Sequence, residues 1–166
     1  MIVSSVLMAQ TCRFRTMDPG FTQKANSSGL RYEVALNILT GNIFLMNGPF
    51  LPGEKNDLEI FHSSLMTWLE PFERVEADDG YEGEAPIKVK RSSSTGIPEE
   101  KHRMMGIVRR RQETVNRRFK QWSILKQVFH HELSMHGRGF TAIVVIGQLA
   151  IQNGKSLFQV EYNDAA

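Results

Sequence analysis

The stretch "VRRRQETVNRRFKQW", residues 108–122, constrains the fold more than any other. At about 100° per residue, Val108, Val115, Phe119 and Trp122 fall within one narrow arc of a helix. Arg109, Glu113, Asn116, Arg117 and Lys120 fall together on the opposite side. Such a helix must press one face onto a core and turn its charges to solvent. "PEE" at 98–100 supplies its start, because Pro98 suits the first turn and the two acids suit the positive end of the dipole. The helical pattern runs from Glu99 to about Phe129.

The rest of the chain offers that helix a sheet. "LRYEVALNIL" alternates as a strand, "TG" at 40–41 turns the chain, and "NIFLMNGPF" follows as a second strand closed by Gly48 and Pro49. In "NDLEIFHSSLMTWLE", Leu58, Phe61, Leu65, Trp68 and Leu69 recur at helical spacing, with Asn56 or Asp57 as the cap. "RVEAD" reads as a short strand, and residues 82–98, with "KRSSSTGIP", read as loop. A last helix lies within 136–152, ended by "NG", and "SLFQVEY" closes as a strand. Residues 1–30 are poorly patterned, with Gly, Pro, Ser and Asn scattered from Asp18 to Gly29. The order β-β-α-β-α-α-β predicts an α/β fold, a mixed sheet flanked by helices. A length of 166 residues fits one domain with a core of its own. The single cysteine, Cys12, has no internal disulfide partner, which favours a reducing compartment. "MIVSSVLMA" lacks the basic flank of a signal peptide. "FTAIVVIGQLAI" spans 12 residues, short of the roughly 20 that cross a bilayer, so it reads as a buried helix or strand. No membrane partner is expected.

The net charge of +2 hides an asymmetry: residues 1–100 balance at −5 and residues 101–166 at +7. A basic element on an otherwise acidic domain suits a polyanion. One carboxylate, Glu113, stands within it, four positions from Arg109 and from Arg117. The plain reading makes these helix ion pairs worth a few tenths of a kcal/mol each. The functional reading makes Glu113 a metal ligand, with Asp78 of "RVEADDGYEGE" as its partner 35 positions earlier. Two carboxylates beside a basic face describe a site where Mg²⁺ or Mn²⁺ activates water against a phosphodiester. Other patterns lead nowhere. His131 and His136 in "HELSMH" are five apart, about 140° around a helix, which is wrong for two zinc ligands; capping or surface roles suit them better. "GPFLPG" lacks the Lys-Ser/Thr pair of a phosphate loop, and Asp57 reads as a cap rather than a ligand.

"ADDGYEGE" followed by "RRRQETVNRRFKQW" resembles the second and third blocks of the DDE superfamily endonuclease domain, the catalytic domain of Harbinger-like and related DDE transposases. The resemblance extends through "GLRYEVALNILTGNIFLMNGPFLPGEKNDLEIF" before these blocks and "FHHELSMHGRGFTAIVVIGQLAIQNGKSLFQV" after them. It implies a ribonuclease H-like fold over residues 29–166, preceded by a degenerate first-strand region and loop at 1–28. It also implies an Asp-Asp-Glu triad holding two divalent ions, Mg²⁺ or Mn²⁺, for cleavage and strand transfer of duplex DNA in the nucleus, with the cytoplasm as the alternative. By motif, Asp78 is the second acid and Glu113 the third; Asp79, the neighbouring candidate, would project to the opposite face of a strand. Arg109, Arg110, Arg111, Asn116, Arg117, Arg118 and Lys120 would contact the nucleic acid. Where the family places its first acid, before a Phe-Arg pair matched here by Phe14 and Arg15, this chain has Gln10. Gln112 replaces a frequent histidine. A neutral residue at the first position implies impaired cleavage, and the alternative is a non-catalytic DNA- or protein-binding remnant. The short stretch upstream leaves no room for the family's helix-turn-helix module. The resemblance then implies a decayed or truncated transposase copy, or a gene read without its 5′ part, with a homo-oligomer or a separate DNA-binding protein as partner.

Overall fold

Alternation in one strand organises the whole molecule. The computed structural model describes residues 2–8, 30–51, 53–77, 89–91, 99–127 and 129–159. In β2 (Arg31–Asn37), Tyr32, Val34 and Leu36 enter one core while Ala35 enters another, because successive side chains point to opposite faces. Asn37 then makes the turn. Its Oδ1 accepts from the backbone N–H of Leu39 and Thr40, and its carbonyl accepts from Gly41. Gly41 sits at φ +74°, a left-handed conformation that a residue without Cβ adopts at little cost. The returning strand, β3 (Ile43–Phe50), runs through Gly48 rather than stopping there. Gly48 stands at φ +126°, and an added Cβ would lie 2.8 Å from the Arg31 carbonyl oxygen, so this position admits glycine alone.

The sheet has the order β3-β2-β1-β4-β5. Strand β1 (Ile2–Met8) lies at its centre, antiparallel to β2 with Met8 opposite Tyr32, and parallel to β4 (Arg74–Ala77) with Ile2 opposite Arg74. The poorly patterned beginning of the chain therefore contributes the central strand. Strand β5 (Val89–Arg91) extends the sheet in parallel from β4, within a stretch read as loop. Three residues are too few to show an alternation.

Each face of the sheet carries helices. On the face of Tyr32, Val34 and Leu36 lie α2 (Glu99–Phe119) and α3 (Leu133–Gln152), through Val115, Phe119, Phe140, Ile143, Val144 and Ile151. The opposite face carries α1 (Asp57–Ser63) and a 3₁₀ turn (Leu65–Trp68), which bury Ile60, Phe61 and Leu65 against Ala35 and Val75. Asn56 caps α1 by a reciprocal pair with Glu59, at 2.8 and 2.7 Å. Asp57 is not the cap; its carboxylate pairs with Arg31.

The fold is thus mixed α/β with the order β-β-β-α-β-β-α-α. Helix α2 stops at Phe119, short of the expected Phe129. The chain reverses through a 3₁₀ turn (Ser123–Leu125) that buries Leu125 and returns α3 to the same core. Trp122, expected on the core arc, lies beyond the helix and is exposed, as is Trp68 at 71%. Helix α3 realises the run "FTAIVVIGQLAI" only half buried: Val145, Ile146 and Leu149 face outward. Residues 155–159 form no strand, although Leu157 still reaches the core. Among the described residues, no helix is long and apolar enough to cross a membrane.

Candidate nucleic-acid interface on the arginine-rich helix

Helix α2 sorts its residues by the 3.6 period. Met105, Val108, Val115 and Phe119 are buried, while Arg109, Arg110, Glu113, Arg117 and Lys120 are exposed and Asn116 is half-buried. Two residues of the expected contact set behave differently. Arg111 is only 3% exposed and donates to the carbonyls of Ile38, Leu39 and Phe158, the last at 2.6 Å. Its guanidinium closes the hairpin turn and the segment after α3 onto α2, so it is not available to phosphate. Burial also pulls its pKa below the ordinary guanidinium value. Arg118, half-buried, donates to the carbonyl of Lys155 at 2.7 Å and tethers the same segment.

Glu113 is exposed, and among the described residues it forms no ion pair with Arg109, Arg117 or any other cation. It lies in a cleft of about 630 Å³ between α2 and the segment after α3. Arg110, Glu113, Thr114 and Arg117 line one wall, and Phe158 and Gln159 the other. Strand β4 ends at Ala77, immediately before Asp78 in sequence. Asp78, Asp79, Gln10, Phe14 and Arg15 lie outside the described residues. Among those that are described, no group of three His, Cys, Asp or Glu side chains is placed to hold a metal ion. A hard divalent ion takes about six oxygen ligands, and Glu113 alone does not make such a site.

Two polar groups escaped sequence reasoning. Glu33 is fully buried on the α1 face of β2, opposite Asn47 of β3. Neither carboxylate oxygen has a hydrogen-bond partner of good geometry. Burial pushes its pKa up to about 7, with Ser64, Asn47 and the Leu65 backbone near enough to offset part of the cost. Alternation puts Glu33 on the face opposite Tyr32 and Val34, and the sequence does not announce that α1 covers that face. His136, read as a capping or surface residue, is fully buried on the inner side of the first turn of α3. Its Nδ1 lies 2.6 Å from the Tyr32 hydroxyl, and its ring meets Phe129 edge-on at 4.8 Å. Burial holds its pKa below the ordinary imidazole value, while a hydrogen bond with the Ile124 backbone works the other way.

No protein-family model matches the chain, nor does any curated protein or any solved structure.

Proposed function

We propose that the chain is a nucleic-acid-binding domain of the DDE endonuclease type, acting in the nucleus. Arg109, Arg110, Asn116, Arg117 and Lys120 would contact phosphates, and Asp78 and Glu113 would be the remaining acids of the site. The observation that carries this reading is the state of Glu113: exposed, unpaired among the described residues, and set in a cleft between Arg110 and Arg117. An i−4 or i+4 ion pair here would be worth only a few tenths of a kcal/mol, and with none formed the carboxylate is open to a ligand. The +7 balance of residues 101–166 supports a polyanion. A mixed sheet with helices on both faces supports the ribonuclease H-like form. Arg111 leaves the contact set, and Arg118 keeps its charge there while holding the following segment.

Gln10 favours a second reading, a binding domain without cleavage, since a neutral residue at the first acid position leaves an ion pair of Mg²⁺ or Mn²⁺ short of ligand charge. Binding needs no ion, whereas cleavage does. Plasmid nicking with Mn²⁺ separates the two: activity confined to Gln10→Asp supports an inactivated site, and activity of the unaltered chain that Asp78→Ala abolishes supports an intact one. Binding itself is tested by titrating duplex DNA at several salt concentrations. Arg109→Gln and Arg117→Gln should each lower the salt slope by about one. Binding that is absent, or indifferent to salt, would dismiss both readings.

A further inference from the structure

We infer that the cleft between α2 and the segment after α3 takes an unstacked nucleobase with its flanking phosphates, so that this domain prefers single-stranded nucleic acid to duplex. This rests on the polyanion reading of the same face and adds the form of the strand.

Phe158 is the first observation. Its neighbour Leu157 is buried, yet Phe158 is 45% exposed and lines the cleft wall. The backbone that carries the ring is anchored. Arg111 grips the Phe158 carbonyl at 2.6 Å, Arg118 grips the Lys155 carbonyl at 2.7 Å, and the Arg111 guanidinium lies 5.9 Å from the ring centroid. An aromatic ring on an anchored backbone, approached by a cation and still open to solvent, is a ready stacking platform.

The facing wall supplies the charges. Arg110 and Arg117 stand roughly 10 Å apart along the helix axis, exposed, with Glu113 between them. Glu113 repels phosphate from the middle of the cleft, so the backbone of a strand lies toward the arginines. A base carrying an amino group then turns its N–H donors to the carboxylate, as cytosine does with acidic side chains. A volume of about 630 Å³ sits within the range of small-ligand pockets. Duplex DNA offers the arginines its phosphates but keeps its base faces stacked, out of reach of Phe158.

The experiment measures binding of a fluorescent oligo-dC strand, of a duplex containing it, and of CMP to the full chain at fixed salt. Phe158→Ala should weaken the single strand by roughly tenfold and change the duplex less than twofold, while Phe158→Tyr restores single-strand binding. The retained duplex affinity of Phe158→Ala shows that the variant is folded. Equal loss on both forms, or no loss on the single strand, overturns the inference. CMP binding as tightly as the strand overturns the strand and makes a free nucleotide the ligand; displacement of the strand by poly-glutamate at equal charge assigns the cleft to acidic protein instead. A chain that binds neither nucleic acid loses the polyanion reading itself, whereas one that binds both forms equally loses only this one.

Discussion

Glu33→Gln should remove a loss of stability that the unaltered chain suffers as pH rises. The side chain is fully buried on the second strand, and its carboxyl is raised from 4.5 to about 7. That difference corresponds to about 3 kcal/mol between the two protonation states. Below pH 4.5 the carboxyl is neutral in folded and unfolded chains alike and costs nothing. From there to about 7 the folded chain keeps a proton that the unfolded chain has released, so stability falls with rising pH. Above that window both states are ionised and the full penalty stands. Glutamine conserves the shape without the charge, and its amide can meet Asn47 and Ser64, which face the same position. Urea unfolding of both proteins near pH 5 and pH 8 measures the effect. The unaltered chain should lose about 2.5 kcal/mol more than the variant between these conditions, since a part of the penalty is already present at pH 5. A variant with the same pH slope as the unaltered chain would refute the reasoning, showing that water or a donor reaches the carboxylate.

His136 should act in the opposite direction: its folded pKa lies below 6.5, so its contribution is complete above that pH and is lost as pH falls through the folded value. His136→Gln should therefore flatten the acid side of the stability profile, and the ring resonances of the unaltered chain should titrate below the ordinary histidine range. Arg111→Met should destabilise the chain by about 2–4 kcal/mol, because it strands the three carbonyls that the guanidinium serves. Arg117→Met, on the exposed side of the same helix, should cost less than about 0.5 kcal/mol; equal effects of the two in thermal unfolding would contradict the assignment of Arg111 to the interior.

Local periodicity carried much of the architecture. The first hairpin, the Asn56 cap, the buried positions Val108, Val115 and Phe119, and the end of the last helix at Asn153 all follow from spacing and turn chemistry. Spacing says which residues share a face, but not what covers that face. The burial of Glu33 was not legible for this reason, since α1, which folds over its side of the sheet, begins 24 residues later at Asp57. Arg111 falls beside Val108 and Val115 on the buried arc of the helix, and only the approach of the hairpin turn and the Phe158 carbonyl makes a charge tolerable there. Phe158 lay in a stretch expected to pair as a strand, so its role as a cleft wall could not emerge from alternation. For the candidate site, the exposed carboxylate and its flanking arginines were legible, whereas the opposite wall was not.

Arg111 and Arg118 reach past the last helix to hold the backbone that follows it. The folding unit consequently does not end with the last described helix. A shortened chain stopping at Gln152 would keep every described helix and strand, yet leave a guanidinium with one receptor fewer and a hole where Leu157 belonged. Boundaries for expressing this domain are better set by those two grips than by the final helical turn.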